Sequence, residues 1–146
     1  MTNRGQSEVL DRKSTANGRR KTARLLEAVN AESRALNELA DVLDRQREAI
    51  ARRDADVVQC SVQTMQNVML TLAAATRRRQ ELAEIYADLC DQTAPSSAVV
   101  TACRQAEEAA MRVERELTAN QRELNRAIRD GEVFAQRLFS TMTGRD

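Results

Sequence analysis

Apolar residues recur along most of this chain with alternating spacings of four and three, the repeat that lines one helix face against a neighbouring helix. The repeat fills three stretches, separated by a charged turn and by the segment CDQTAPSSA, residues 90–98, which holds the single Pro. The β-branched runs and turn residues that sheets need are mostly missing. The spacing therefore predicts an all-α fold, an antiparallel bundle of three long, coiled-coil-like helices.

The first two stretches predict long helices joined by a tight turn. The first runs from about residue 22 to residue 53, and its seam is Leu25, Val29, Leu36, Leu39, Leu43 and Ile50, with Glu32 and Gln46 as polar members. In the turn, Asp54 is expected to cap the following helix. The second seam is Met65, Val68, Leu72, Ala75, Leu82, Tyr86 and Leu89. Further apolar residues widen its face, which predicts that the second helix is the central one.

The third stretch predicts either the longest helix or a helix broken near Gly131. Its seam is Val99, Cys103, Ala106, Ala110, Val113, Leu117, Asn120, Leu124 and Ala127. An unbroken helix from Ser97 to Met142 extends about 70 Å, beyond the ~45 to 55 Å of the other two. Both Phe residues lie in that overhang, which predicts a binding surface at the C-terminal end. The alternative is a chain that folds back at Gly131, with Phe134 and Phe139 in the core.

The residue types that most enzymes use are absent. The chain has no His, no P-loop or dinucleotide-binding motif, and three separate Cys residues without a CxxC pair. We therefore predict no catalysis, no cofactor, no metal site and no small-molecule substrate. The acidic residues of the third helix alternate with Arg and are interpreted as a solvated face. Unpaired Cys and the lack of a long apolar run favour a cytoplasmic protein.

Basic residues are concentrated at the N-terminal end. Up to Arg24 the chain has seven Lys and Arg against two acidic residues. We predict a flexible basic arm over residues 1–21, followed by a single helical-bundle domain over residues 22–146. A nucleic-acid binder acting through this arm is a weaker alternative, because the arm lacks aromatic residues to stack on bases. No stable nucleic-acid or membrane binding is expected. Residues 77–79 are three consecutive Arg. They are interpreted as a solvated run, with the aliphatic part of one side chain lying along apolar surface, rather than as a phosphate site.

Two segments resemble the FlgN-type flagellar export chaperones. The first is LNELADVLDRQREAIARRDADVV, residues 36–58, in which the matching residues are Leu39, Leu43, Arg47, Glu48, Ile50 and Asp54, with the turn at Arg53-Asp54. The second is ELTANQRELNRAIRDGEVFAQRLFSTM, residues 116–142, in which Asn120, Leu124, Asn125, Ile128, Val133 and Leu138 correspond in type. The chain departs from the pattern in its basic arm, its two polar seam residues and Gly131.

The resemblance implies a cytosolic chaperone of the flagellar type III export system. Such a protein binds the C-terminal helical segments of hook-associated (hook-filament junction) proteins, prevents premature assembly and delivers them to the export gate. Family clients contact the C-terminal region, so the expected partner-binding residues are Leu124, Ile128, Val133, Phe134, Leu138 and Phe139. The export apparatus is the second expected partner, and a homodimer is possible. The alternative is a structural coiled-coil oligomerisation or adaptor protein without a chaperone role.

Overall fold

The computed structural model describes the backbone of residues 3–90 and 96–142 and the side chains of residues 16–87 and 96–140. These residues form four helices and no strand: α1 (Asn3–Ala51), α2 (Ala55–Cys90), α3 (Ser97–Asp130) and α4 (Glu132–Met142). The predicted all-α class is confirmed. The predicted loop around Pro95 and the side chains of residues 1–15 lie outside the described residues.

The central helix is α1, so the prediction that α2 lies at the centre is wrong. α1 packs against both α2 and α3, whereas the backbones of α2 and α3 do not meet over the part of the chain described. The predicted α1 seam is buried, apart from the half-buried Glu32. Beside it runs a second buried row at seven-residue intervals, Ala28, Ala35, Val42 and Ala49. Two adjacent apolar rows give one helix enough surface for two partners.

The core clusters show how the three long helices are oriented. Near the end of α1, Ile50 packs in one cluster with Val58 of α2 and Ala127 of α3. Nearer its start, Leu25 packs with the C-terminal part of α2 and with Val99, at the beginning of α3. α2 therefore runs opposite to α1, and α3 runs in the same direction as α1.

The turn between α1 and α2 has the predicted position and the predicted cap. Arg53 adopts a left-handed conformation with φ of 59°, and its N–H donates to the Ile50 carbonyl while the Asp54 N–H donates to the Ala49 carbonyl, both at 3.0 Å. This pair of bonds is the Schellman arrangement that ends many helices. Asp54 Oδ1 accepts a hydrogen bond from the Val57 N–H at 3.2 Å, as an N-cap should.

α1 begins earlier and is longer than predicted. The helix expected from about residue 22 starts at Asn3, so most of the segment predicted as a flexible arm has helical backbone. No Pro interrupts it, and Gly18 remains helical, its carbonyl accepting a hydrogen bond from Thr22 Oγ1 at 2.8 Å. With 49 residues, α1 extends about 73 Å. The expectation that the third helix is the longest is therefore wrong.

The third stretch is broken at Gly131, which was the alternative that the sequence left open. Gly131 has φ of −143° and ψ of 90°, an extended conformation, although its N–H still donates to the Ala127 carbonyl at 3.0 Å. The extended ψ turns the chain out of the helix axis. α4 then packs back onto α2 and α3 at the end of the bundle.

Candidate functional site

Two of the six predicted partner-binding residues belong to the core. Phe134 is 5% exposed and Leu138 is 7% exposed, and both lie in the cluster around Ile50 and Val58. They stand four residues apart, on the same face of α4. Their apolar surface closes the end of the bundle and holds α4 in place, so it is not offered to a partner.

The other four predicted residues divide into exposed and half-buried pairs. Val133 is 67% exposed and Phe139 is 58% exposed, which places both on the outer side of α4. Leu124 and Ile128 of α3 are half-buried. The structure therefore does not gather the six residues on a single surface. It leaves one exposed apolar pair, on α4, and one half-buried pair, on α3.

A groove that the sequence did not predict lies between α2 and α3. Its volume is about 470 Å³. α1 provides the floor through Leu43, Gln46 and Ile50, and Leu138 of α4 lies at one end. The walls are Val58, Gln59, Val62, Gln63, Met65 and Gln66 of α2 and Leu117, Asn120, Gln121 and Leu124 of α3.

The row of residues that α3 turns toward α1 differs from the predicted seam. The buried residues of α3 include Ala102 and Ala109, whereas the predicted seam named their neighbours Cys103 and Ala110. Cys103 is exposed, and Leu117 is 48% exposed. Half of the predicted α3 seam is therefore shifted by one residue. Leu117, with Leu124 further along α3, lies in one wall of the groove.

A polar layer crosses all three long helices at the floor of the groove. Asn120 Nδ2 donates to the Leu43 carbonyl at 2.8 Å and to Gln46 Oε1 at 3.0 Å. Gln46 Nε2 in turn donates to Ser61 Oγ at 3.0 Å. Asn120 Oδ1 is buried and has no hydrogen-bond partner. Such layers fix the register of packed helices at some cost in stability.

None of the fourteen residues lining the groove is charged, although 31% of the chain is. Interhelical ion pairs lie elsewhere. α3 is joined to α1 by the pairs Arg112–Asp41 and Arg47–Glu116 and to the following turn by Arg53–Glu123, and α2 is joined to α1 by Arg79–Glu32. Glu116 and Glu123, predicted on a solvated face, are therefore half-buried ion-pair partners. Charge is placed at the helix contacts and is excluded from the groove.

No metal centre is found in the part of the chain that the structure describes. Over those residues, no three His, Cys, Asp or Glu side chains are placed to hold a metal ion. Cys60 and Cys103 are free and exposed. None of the described helices combines the length and the apolar character required to cross a membrane.

A protein-family model described as FlgN protein matches residues 21–144 of the chain. This range takes in α2, α3 and α4 and most of α1, and therefore both the groove and the exposed pair on α4. None of the curated proteins and none of the solved structures compared with the chain matches it.

Proposed function

Because this chain belongs to the FlgN family of flagellar export chaperones, we propose that it binds the C-terminal helical segments of hook-associated proteins. By covering these segments it prevents premature assembly at the hook-filament junction. It then delivers its clients to the export gate. Since the chaperone meets its clients before they are exported, the proposed site of action is the cytoplasm. Binding requires neither a cofactor nor catalysis.

The exposed apolar pair on α4 is the observation that carries the proposed client contact. Val133 and Phe139 are large apolar residues, 67% and 58% exposed, on a short helix that is anchored by Phe134 and Leu138 of its opposite face. A disordered amphipathic segment gains apolar burial by folding against such a surface, which offsets its ordering entropy. Release at the export gate requires reversible binding, of the order of micromolar to tens of nanomolar.

Titration calorimetry with the C-terminal third of a hook-associated protein from the same genome tests the proposal. We expect Val133→Glu to weaken binding at least tenfold, because a charge on the outer side of α4 opposes burial under an apolar client. Leu70→Glu is the matched control, since Leu70 is 72% exposed on α2 and does not line the groove. Absence of binding to the wild-type protein would refute the proposed function. Equal loss in both variants would refute the assignment of the surface.

A further inference from the structure

We propose that the groove between α2 and α3 seats two turns of an amphipathic client helix whose inner face is uncharged, with an apolar stripe flanked by amide or hydroxyl side chains. This inference rests on the proposed function, because the occupant is a segment of the client. It adds a second contact surface, between the long helices, to the one on α4. It also specifies the chemistry of the residues that enter the groove.

The dimensions of the groove fit a short stretch of helix. Its floor extends from Leu43 to Ile50 along α1, about 10 Å at 1.5 Å per residue, or two helical turns. Over two turns, a helix presents side chains at positions i, i+3 or i+4, and i+7 on one face. The walls stand apart because α2 and α3 make no backbone contact in the described ranges. A convex helix face therefore has room for about three inward side chains.

The lining excludes charge on the inner face of the occupant. Eight of the fourteen lining residues are Leu, Ile, Val or Met, and the other six are Gln or Asn. A charged side chain entering the groove would lose water without finding an opposite charge. Side-chain amides donate and accept hydrogen bonds without a net charge. The matching inner face has an apolar stripe flanked by Gln, Asn, Ser or Thr.

Asn120 gives the floor of the groove a fixed polar group. Its amide orientation is fixed, because Nδ2 must face two acceptors, the Leu43 carbonyl and Gln46 Oε1. Oδ1 is consequently the atom without a partner, on a side chain that is 6% exposed and lines the groove. A buried acceptor without a donor is unfavourable. Since Oδ1 is itself closed to solvent, an occupant of the groove cannot reach it, and the client helix makes its flanking hydrogen bonds with the exposed Gln side chains of the walls.

A second copy of this chain fits the groove less well than a client helix does. Pairing of identical subunits about a two-fold axis places the same surface of each against the other. Here this would bring two concave surfaces together and leave their volume unfilled. A client helix is convex and fills the groove directly. Self-association nevertheless remains an outcome that the experiment can detect.

The test uses the full chain and the same hook-associated segment as probe. The groove variant combines Gln63→Glu with Gln66→Glu, two exposed positions on the α2 wall. The control variant combines Gln80→Glu with Gln105→Glu, which adds the same charge at exposed positions outside the groove. Leu117→Glu repeats the perturbation on the opposite wall. Circular dichroism and thermal unfolding establish that each variant is folded.

We expect the groove variant and Leu117→Glu each to weaken binding at least tenfold, with the control variant within twofold of wild type. If client binds normally to the groove variant while Val133→Glu weakens it, the groove proposal is overturned and the proposed function stands. If no hook-associated segment binds the wild-type chain, the proposed function fails and the inference that rests on it fails too. If sedimentation shows a wild-type dimer that the groove variant dissociates, the occupant is a second copy and the proposal is overturned.

Discussion

The two Phe residues of α4 should respond differently to truncation: Phe134→Ala should mainly lower stability, and Phe139→Ala should mainly weaken client binding. Phe134 is 5% exposed within a packed cluster, and Phe139 is 58% exposed. Removing a buried Phe side chain typically costs about 3–5 kcal/mol, the sum of lost transfer free energy and the cavity left behind. Phe139→Ala removes much less buried surface and should cost about 1 kcal/mol or less.

The loss in Phe134→Ala should appear first as local opening of α4. This helix is short and packs only on the end of the bundle, and terminal elements open without unfolding the rest. A loss of about 3 kcal/mol corresponds to roughly 150-fold faster amide exchange, until α4 reaches the rate of an unstructured peptide. Hydrogen exchange read by mass spectrometry resolves this segment. Phe139→Ala should accelerate exchange only about fivefold, yet weaken client binding more than its stability effect explains.

Two results would refute the assignment of Phe134 to the core and Phe139 to the surface. One is amide exchange of α4 at the wild-type rate in Phe134→Ala, and the other is an equal acceleration of amide exchange in the two variants. Client binding provides the second comparison. If Phe139→Ala binds the client as tightly as wild type does, the outer side of α4 is not the contact surface.

Substitutions at three further positions test individual features, each by urea unfolding followed by circular dichroism. Arg53→Ala should lower the free energy of unfolding by about 1–2 kcal/mol, because the guanidinium donates to the Ile50 carbonyl at 2.8 Å. Arg53→Gly should be about 1 kcal/mol less destabilising than Arg53→Ala, since glycine adopts the left-handed conformation without strain. Equal stability of the two variants would contradict that strain. Gly131→Ala should change the free energy of unfolding by less than about 1 kcal/mol, because φ is ordinary and an added Cβ lies 3.4 Å from the nearest atom. A large loss of stability would mean that the helix break requires glycine. Asn120→Ala should cost about 1–3 kcal/mol by leaving Gln46 Oε1 without its donor, and a neutral result would show that the polar layer is not stabilising.

Local signals in the sequence predicted the three long helical stretches and the turn, although α1 begins earlier than they indicated. Four-three spacing depends only on residues within one helix, and the cap at Asp54 depends only on the next three residues. The family resemblance likewise lay in short segments, and the family match confirms it. These features are recognisable without knowing which helices pack together.

The relative placement of the helices was not predictable from the same signals. In α3, two rows satisfy four-three spacing, one through Cys103 and Ala110 and one through Ala102 and Ala109. Only the volume available beside α1 decides between them. The buried row of small residues on α1 recurs every seven positions, and this period would have identified the central helix.

The candidate site was only partly predictable for the same reason. Phe134 and Phe139 are both apolar residues of an amphipathic stretch, and their burial depends on how the chain turns at Gly131. The sequence carries only a weak indication of the groove, which is that Gln59, Gln63 and Gln66 follow four-three spacing on α2. Recognising them as one wall requires knowing that α2 and α3 stand apart on α1.

The central helix, α1, is the first of the three long helices in the chain. This has a consequence for synthesis on the ribosome. The N-terminal part of a chain emerges first, so α1 is already present when each later helix leaves the exit tunnel. α2 and then α3 can each dock on it immediately, without waiting for the other. If the last helix were the shared partner, two apolar seams would stay uncovered until translation ended. This chain order therefore shortens the time in which a nascent chaperone is itself prone to aggregate.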